Sequence, residues 1–322
     1  MAAEARSFFI KDSPERVAHY DRQWSTHIDR IVAQLAAGAS MSEIVARFDA
    51  AIGAYYGFID ESVLKYLPKL ELRGFADRPA PERLVVVNGR YLSLPAMPGM
   101  DGIFSAIAAV VDPEVDCIVE FGSGLGCNLA RLRLKLPNAP VSYIACEPTE
   151  HGRRASELIF STDPGARFEA RPFDYGTPDL AFLDRFRKIV AFTVHSIEQM
   201  PVLGKAFYDA LLAANIAHCI HLEPVGWQRF TNLAQLVLSL HRDRDAWQKL
   251  RRNFEFVIDD SELVNNAAMW SAAGGYNTDL LPLIAAAAGR GEVTLTALAY
   301  EIIGLNPFNP STLVAWRRTR AG

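Results

Sequence analysis

The residue types best suited to chemistry lie between Glu120 and Glu223. Glu120-Phe121-Gly122-Ser123-Gly124-Leu125-Gly126 places three glycines at alternate positions. Glycine lets a backbone turn sharply and approach a ligand closely, and a helix opening at that spot offers unpaired N–H groups. A dinucleotide pyrophosphate asks for GxGxxG; here the third glycine comes one residue early and Cys127 takes its place. Glu120, two residues before the first glycine, sets a carboxylate where a pyrophosphate would be repelled, so a ligand with an ammonium group suits the loop better.

Proton transfer needs a base, and His195 has an unperturbed pKa near 6.5 that fits the task at neutral pH. It also reads as a loop histidine that fixes the chain or lines the pocket. Glu198 and Gln199 read as capping a turn opened by Ser196. Glu223 can accept from a substrate, orient a base, or stand as a solvated carboxylate before Pro224. His221 and Glu223 share one side of a strand by period-two spacing. These residues form no compact metal motif such as HExxH, so no metal site is assigned.

The elements that position them alternate strand and helix from Asp116 onward, the pattern of a parallel sheet. Strands are expected at Cys117–Phe121, Val141–Ala145, Arg167–Arg171, Ile189–Thr193 and Ile216–Leu222. Helices are expected at Cys127–Lys135, Glu150–Ser161, Leu180–Phe186 and Pro201–Ala214. A helical insertion follows over Gln228–Arg252, then a helix over Thr278–Ala288, and an antiparallel hairpin from Val293–Ile303 and Thr312–Arg317. Trp270 with Gly274-Gly275-Tyr276 fits either a mobile aromatic lid or a packed loop.

The first hundred residues read as amphipathic helices. One starts at Ser13-Pro14, carries Val17, Tyr20, Trp24, Ile28, Ile31 and Leu35, and closes at Gly38. The next begins with the capping-box pair Ser40 and Glu43, carries Ile44, Phe48, Ile52, Tyr55, Ile59 and Val63, and stops at Pro68. Val85–Val87, Asn88-Gly89 and Tyr91–Leu94 then form a hairpin signal. A helix at Ile103–Val111 precedes a boundary near Asp112-Pro113.

EFGSGLG at Glu120–Gly126 resembles the first motif of class I S-adenosylmethionine-dependent methyltransferases. The resemblance covers about residues 101–322 and leaves the N-terminal helices out. It implies that Glu120, Gly122, Ser123, Gly124 and Gly126 hold the methionyl part of S-adenosylmethionine. Glu147, 21 residues past Gly126, matches the acidic residue that binds both ribose hydroxyls. Phe173-Asp174 matches the adenine position, and Thr193–Pro201, with Thr193 and His195, resembles the segment after the fourth strand. The implied fold is a Rossmann-like α/β seven-stranded sheet with a C-terminal antiparallel hairpin. Residues 1–112 would form a helical cap and 113–322 the catalytic domain, with a helical insertion at about 228–275. His151 would touch the cofactor's rim or solvent.

Methyl transfer from a sulfonium asks the protein to align the nucleophile, exclude water and, for a hydroxyl, remove a proton. His195, then Glu223 and His221, are the catalytic candidates, and O-methylation of a sugar or secondary-metabolite hydroxyl is the expected activity. N-methylation, a catalytically silent cofactor-binding scaffold and an NAD-dependent oxidoreductase stay open. Of 322 residues, 33 are basic and 37 acidic, a formal charge of −4. Residues 1–100 balance 12 basic against 12 acidic side chains, which speaks against a nucleic-acid arm. The insertion at Gln228–Arg252 holds six basic and two acidic residues and reads as a solvated helix face or an anion-attracting cap. No apolar run reaches the roughly 20 residues that cross a bilayer, and four cysteines without a CxxC pair fit a reducing compartment. A cytoplasmic enzyme with a small-molecule acceptor is expected, with a homodimer through the N-terminal helices as one option.

Overall fold

The computed structural model describes residues 13–56, 70–71, 73, 83–94 and 100–319. Two helices open the chain, α1 (Ser13–Ala36) and α2 (Met41–Tyr56). Gly38 adopts the left-handed conformation that ends α1 (φ 77°). The capping box of α2 forms reciprocally: Ser40 N–H donates to Glu43 Oε2 at 2.8 Å and Glu43 N–H to Ser40 Oγ at 3.3 Å. The later stripe positions Ile59 and Val63 and the expected stop at Pro68 lie outside the described residues.

The strands are β1 (Leu70–Glu71), β2 (Leu84–Val87), β3 (Arg90–Ser93), β4 (Cys117–Phe121), β5 (Ser142–Cys146), β6 (Arg167–Arg171), β7 (Ile189–Val194), β8 (Ile216–Glu223), β9 (Phe256–Val257), β10 (Val293–Gly304) and β11 (Ser311–Arg318). The main sheet runs β3-β2-β10-β11-β8-β7-β4-β5-β6. Strands β4 to β8 are parallel, and β11, β10, β2 and β3 join antiparallel. Among the described residues it has nine strands, not the seven expected. The two extra strands are the hairpin read from Val85 to Leu94, which the sequence placed in a helical cap. Asn88 (φ 48°) and Gly89 (φ 73°) make its tight turn, and β2 pairs with the end of β10 through Val87–Ile303 and Val86–Gly304.

The remaining helices are α3 (Asp101–Ala109), α4 (Cys127–Lys135), α5 (Glu150–Phe160), α6 (Lys205–Ala213), α7 (Thr231–Arg242), α8 (Arg244–Asn253), α9 (Leu263–Gly274) and α10 (Leu280–Gly289). Central strands are buried on both faces, so alternate residues feed different cores. Cys117, Val119 and Phe121 point to the side of α6 and α10, whereas Ile118 joins the side of α1 to α5. A third core gathers Leu84, Val86 and Tyr91 of the hairpin with Val237, Trp247 and Phe308.

Three helical expectations are corrected. Leu180–Phe186 yields only a 3-10 turn at Ala181–Leu183, because Asp116 takes the N–H groups of Arg187 and Lys188 and pulls the chain back toward β7. The helix expected from Pro201 starts at Lys205, after Asp279 accepts from Leu203 and Gly204 N–H. The insertion breaks at Asp243, whose carboxylate accepts from Ala246 N–H at 2.9 Å and caps α8. Trp270 is buried and stacks on Phe308 at 5.8 Å, the packed alternative for that segment. No helix among the described residues is long and apolar enough to cross a membrane.

Candidate active site

Strand order reverses between β4 and β7: successive strands leave β4 toward β5 and β6, and leave β7 toward β8. Open α/β sheets bind ligands in the crevice beyond the carboxyl ends of strands at such a reversal. The glycine loop sits there. Gly122 has φ 70°, and a Cβ on it would fall 2.3 Å from Ser196 Cβ, in the loop after β7. Only glycine allows that approach. Gly124 and Gly126 are also left-handed, and Gly126 backs onto Ser156 of α5.

Glu120 is fully buried beneath this loop. Asn128, in the first turn of α4, donates to its Oε1 at 2.9 Å; among the described residues its Oε2 has no partner, nor has the buried Ser123 Oγ. Burial, opposed by the Asn128 bond and reinforced by Glu147, pushes the Glu120 carboxyl up to about 8. Such a carboxyl with an open oxygen fits an incoming cationic donor.

Glu147 follows β5 and is buried. Gly124 N–H donates to its Oε2 at 2.8 Å, and Thr149 donates to its Oε1 through both N–H and Oγ1. Burial raises its pKa despite these bonds. Phe173 is buried against Phe121 at 4.9 Å and Phe207 at 5.8 Å. Asp174 is exposed and accepts from Gly176 N–H and Thr177 Oγ1, so it shapes its own turn.

His195 stands just past β7 with φ 51°, an uncommon conformation for a non-glycine residue. Its Nδ1 lies 3.2 Å from Glu198 Oε2 and its Nε2 2.7 Å from Ser311 Oγ. Burial would lower its pKa, but Glu198 and Glu223 outweigh that and raise it. Glu223 is fully buried rather than solvated. Its carboxylate accepts from the N–H groups of Ser196, Ile197 and Glu198 at 3.1, 3.2 and 3.1 Å. It therefore holds the 3-10 turn Ile197–Gln199 that Glu198 and Gln199 were expected to cap; Ser196, expected to open that turn, donates its hydroxyl to the Phe121 carbonyl. Burial, then the Glu198 charge, brings Glu223 up to about 7.

His221 is fully buried, between Thr193 Oγ1 (3.0 Å from Nδ1) and Trp316, whose Nε1–H donates to Nε2 at 3.3 Å. Burial drops its pKa to about 3. Thr193 is likewise buried and serves this bond. Both belong to the interior of the sheet rather than its edge.

Sequence reasoning missed what crosses the crevice. Trp24 of α1 lies over Gly124, its ring 3.2 Å from where a Cβ would stand. Asp21 accepts from His151 N–H at 3.0 Å and pairs with its ring at 2.8 Å, so His151 meets α1. Arg16 is buried, interacts with Glu198 and lies against Gly275. Their spacing along α1, about 12 Å from Arg16 to Trp24 at 1.5 Å per residue, carries the helix from the glycine loop to the loop after β7. The apolar stripe hid this because a polar side chain on a helix has no preferred partner until tertiary contacts exist.

No protein-family model and no curated protein matches the chain. Solved structures similar to it include "A Pericyclic Reaction enzyme" (15% identity, TM-score 0.38, 67% of this chain and 46% of that one). An O-methyltransferase family protein from Burkholderia thailandensis aligns at 9% identity and TM-score 0.41 over 69% and 57% of the two chains. An O-methyltransferase from neocarzinostatin biosynthesis, in complex with S-adenosylmethionine and 2-hydroxy-5-methyl naphthoic acid, aligns at 16% and 0.38 over 66% and 52%. The chain spans about half the length of these structures. At such scores the functional reading rests on the chain's own geometry.

Proposed function

We propose that this chain is a class I S-adenosylmethionine-dependent methyltransferase acting on a small or medium-sized molecule, with hydroxyl O-methylation as its reaction. One observation carries the reading: among the described residues, a fully buried Glu120 with an unpartnered oxygen and a buried, unpartnered Ser123 hydroxyl in the glycine loop at the sheet's reversal point. Those residues fit an amino-acid end bearing an ammonium group. Glu120 and Ser123 would hold that end, Glu147 the ribose, and Phe173-Asp174 the adenine side. When bound, the cofactor supplies a methyl group on a sulfonium sulfur, already activated for displacement.

The chain's own part is alignment and proton handling. Glu198 accepts from His195 Nδ1–H, which leaves Nε2 as the basic atom. Ser311 Oγ sits on that atom at 2.7 Å, so an acceptor's proton reaches His195 through the Ser311 hydroxyl or by taking its place. A second reading, N-methylation, is favoured by the same observation: both ring nitrogens are engaged, and an amine needs positioning more than a base. Titration of S-adenosylhomocysteine and NAD by calorimetry tests the class. Saturable binding of the former and none of the latter is expected; the reverse would overturn the proposal.

A further inference from the structure

The loop between β10 and β11 brings a second buried, unpartnered oxygen to the same edge. Asn309 is buried, 7% exposed, and its Nδ2 donates to Glu198 Oε2 at 2.9 Å. That bond fixes the amide's direction, since a carboxylate can only accept. The opposite end is therefore a carbonyl oxygen, and Oδ1 has no donor among the described residues. Its neighbours are satisfied. Glu198 Oε1 accepts from Gln199, Oε2 from Asn309 with His195 alongside, His195 Nε2 meets Ser311, and Glu223 is held by three backbone N–H groups. A buried carbonyl with no donor is costly, and among the described residues it is the unmet acceptor of this network.

Charge around it is balanced. The Glu198 charge is offset by Arg16 from α1, and the Glu223 carboxylate by the three backbone N–H groups it accepts from. A cation would gain little from such a cluster, and an anion less. The donor that suits Oδ1 is neutral.

We propose that Asn309 recognises the methyl acceptor, its Oδ1 accepting a hydrogen bond from a neutral hydroxyl of that molecule other than the one whose proton goes to His195. The word acceptor rests on the methyltransferase reading; hydroxyl binding at Asn309 does not. In the turn Asn306-Pro307-Phe308-Asn309-Pro310-Ser311, Asn306 shapes the chain, its Oδ1 accepting from Phe308 N–H at 3.0 Å.

Saturation-transfer NMR on the full chain tests this with glucose, benzyl alcohol and catechol, each set against its amino analogue: glucosamine, benzylamine and o-phenylenediamine. At least one hydroxyl compound should bind the wild type tenfold or more tighter than its analogue. Asn309→Ala should weaken it at least tenfold. Asn309→Asp, protonated against Glu198 at pH 5.5 and so still presenting a carbonyl oxygen, should bind within about threefold of wild type. Calorimetry with S-adenosylhomocysteine on the same proteins separates the two ideas. A wild type that ignores S-adenosylhomocysteine yet binds the hydroxyl compound through Asn309 sinks the methyltransferase reading and keeps this one. No hydroxyl compound binding, an amine preferred, or Asn309→Ala binding as wild type overturns the proposal; if Asn309→Ala fails to fold, the Asp variant and the hydroxyl-to-amine ratio decide.

Discussion

Glu120 ties the cofactor proposal to a proton. Its carboxyl, lifted to about 8 by burial, is mostly neutral at pH 7 in the empty protein. An ammonium placed on its open Oε2 favours the charged form, so binding S-adenosylhomocysteine should release up to one proton and tighten as pH rises from about 6 through 8. Calorimetry in two buffers of different ionisation enthalpy reads this directly; equal apparent enthalpies in both would remove Glu120 from the ammonium site. Glu120→Gln should weaken binding and flatten its pH dependence. His195 carries the second residue-scale expectation. As a base it works neutral, and its pKa is raised, so kcat should climb with pH through an ionisation above its ordinary 6.5. His195→Gln should lower kcat by about 10²–10⁴-fold and erase that limb, leaving cofactor affinity nearly unchanged. A variant within a few-fold of wild type on a hydroxyl acceptor would take His195 out of the chemistry.

At the scale of elements, the loop after β7 is held by one side chain from the neighbouring strand. Glu223 takes three backbone N–H groups of Ser196 to Glu198. Glu223→Ala leaves buried donors unmet, each worth about 1–3 kcal/mol. A fall in stability of about 3 kcal/mol or more is expected from chemical denaturation, with loss of the proposed methyl transfer because His195 and Glu198 ride on that loop. A Glu223→Ala protein as stable as wild type would show that the turn holds itself. Helix α1 is the second element to test. Trp24 covers Gly124 and Asp21 anchors at His151, so Trp24→Ala with Asp21→Asn should speed S-adenosylhomocysteine release about tenfold while the fold persists. Unchanged release would mean that α1 is no part of the cofactor's exit.

The whole molecule is closed by its third core. Phe308 is fully buried, packed on Phe256 at 5.0 Å and Trp270 at 5.8 Å. Around it the hairpin of β2 and β3 meets the inserted helices, and Tyr91 is bound through Asn266 to its hydroxyl and Asp260 to its N–H. Phe308→Ala should cost about 3–5 kcal/mol, and hydrogen exchange should show deprotection concentrated in residues 83–94 and 231–274. Uniform deprotection across the parallel strands instead would show that this core does not stand apart. The same packing means that removing residues 1–100 takes two strands from the sheet, so truncation cannot isolate a cap without harming the core beside the site.

Much of this architecture is legible in residue order because it is local. Alternating apolar runs fix β4 to β8, the Ser40–Glu43 pair fixes the start of α2, and Asn88-Gly89 fixes the hairpin, since each follows from neighbours a few residues apart. The glycine loop too is local: its left-handed turns exclude other residues wherever the chain goes next. What the hairpin pairs with is not local, and so the ninth strand waited on tertiary structure. The same holds for the shortened crossing after β6, where Asp116 competes for backbone donors from about 70 residues away. Side-chain roles divide on this line. His195 could be marked from its place after a strand, but that both its nitrogens are engaged depends on Ser311, 116 residues on. Glu223 and His221 share one face by strand period, yet one caps a loop and the other lies in the core, because a single turn of chain beyond β7 folds back over the first and not the second. Periodicity tells which side of an element a residue occupies; only the packed molecule decides what waits there.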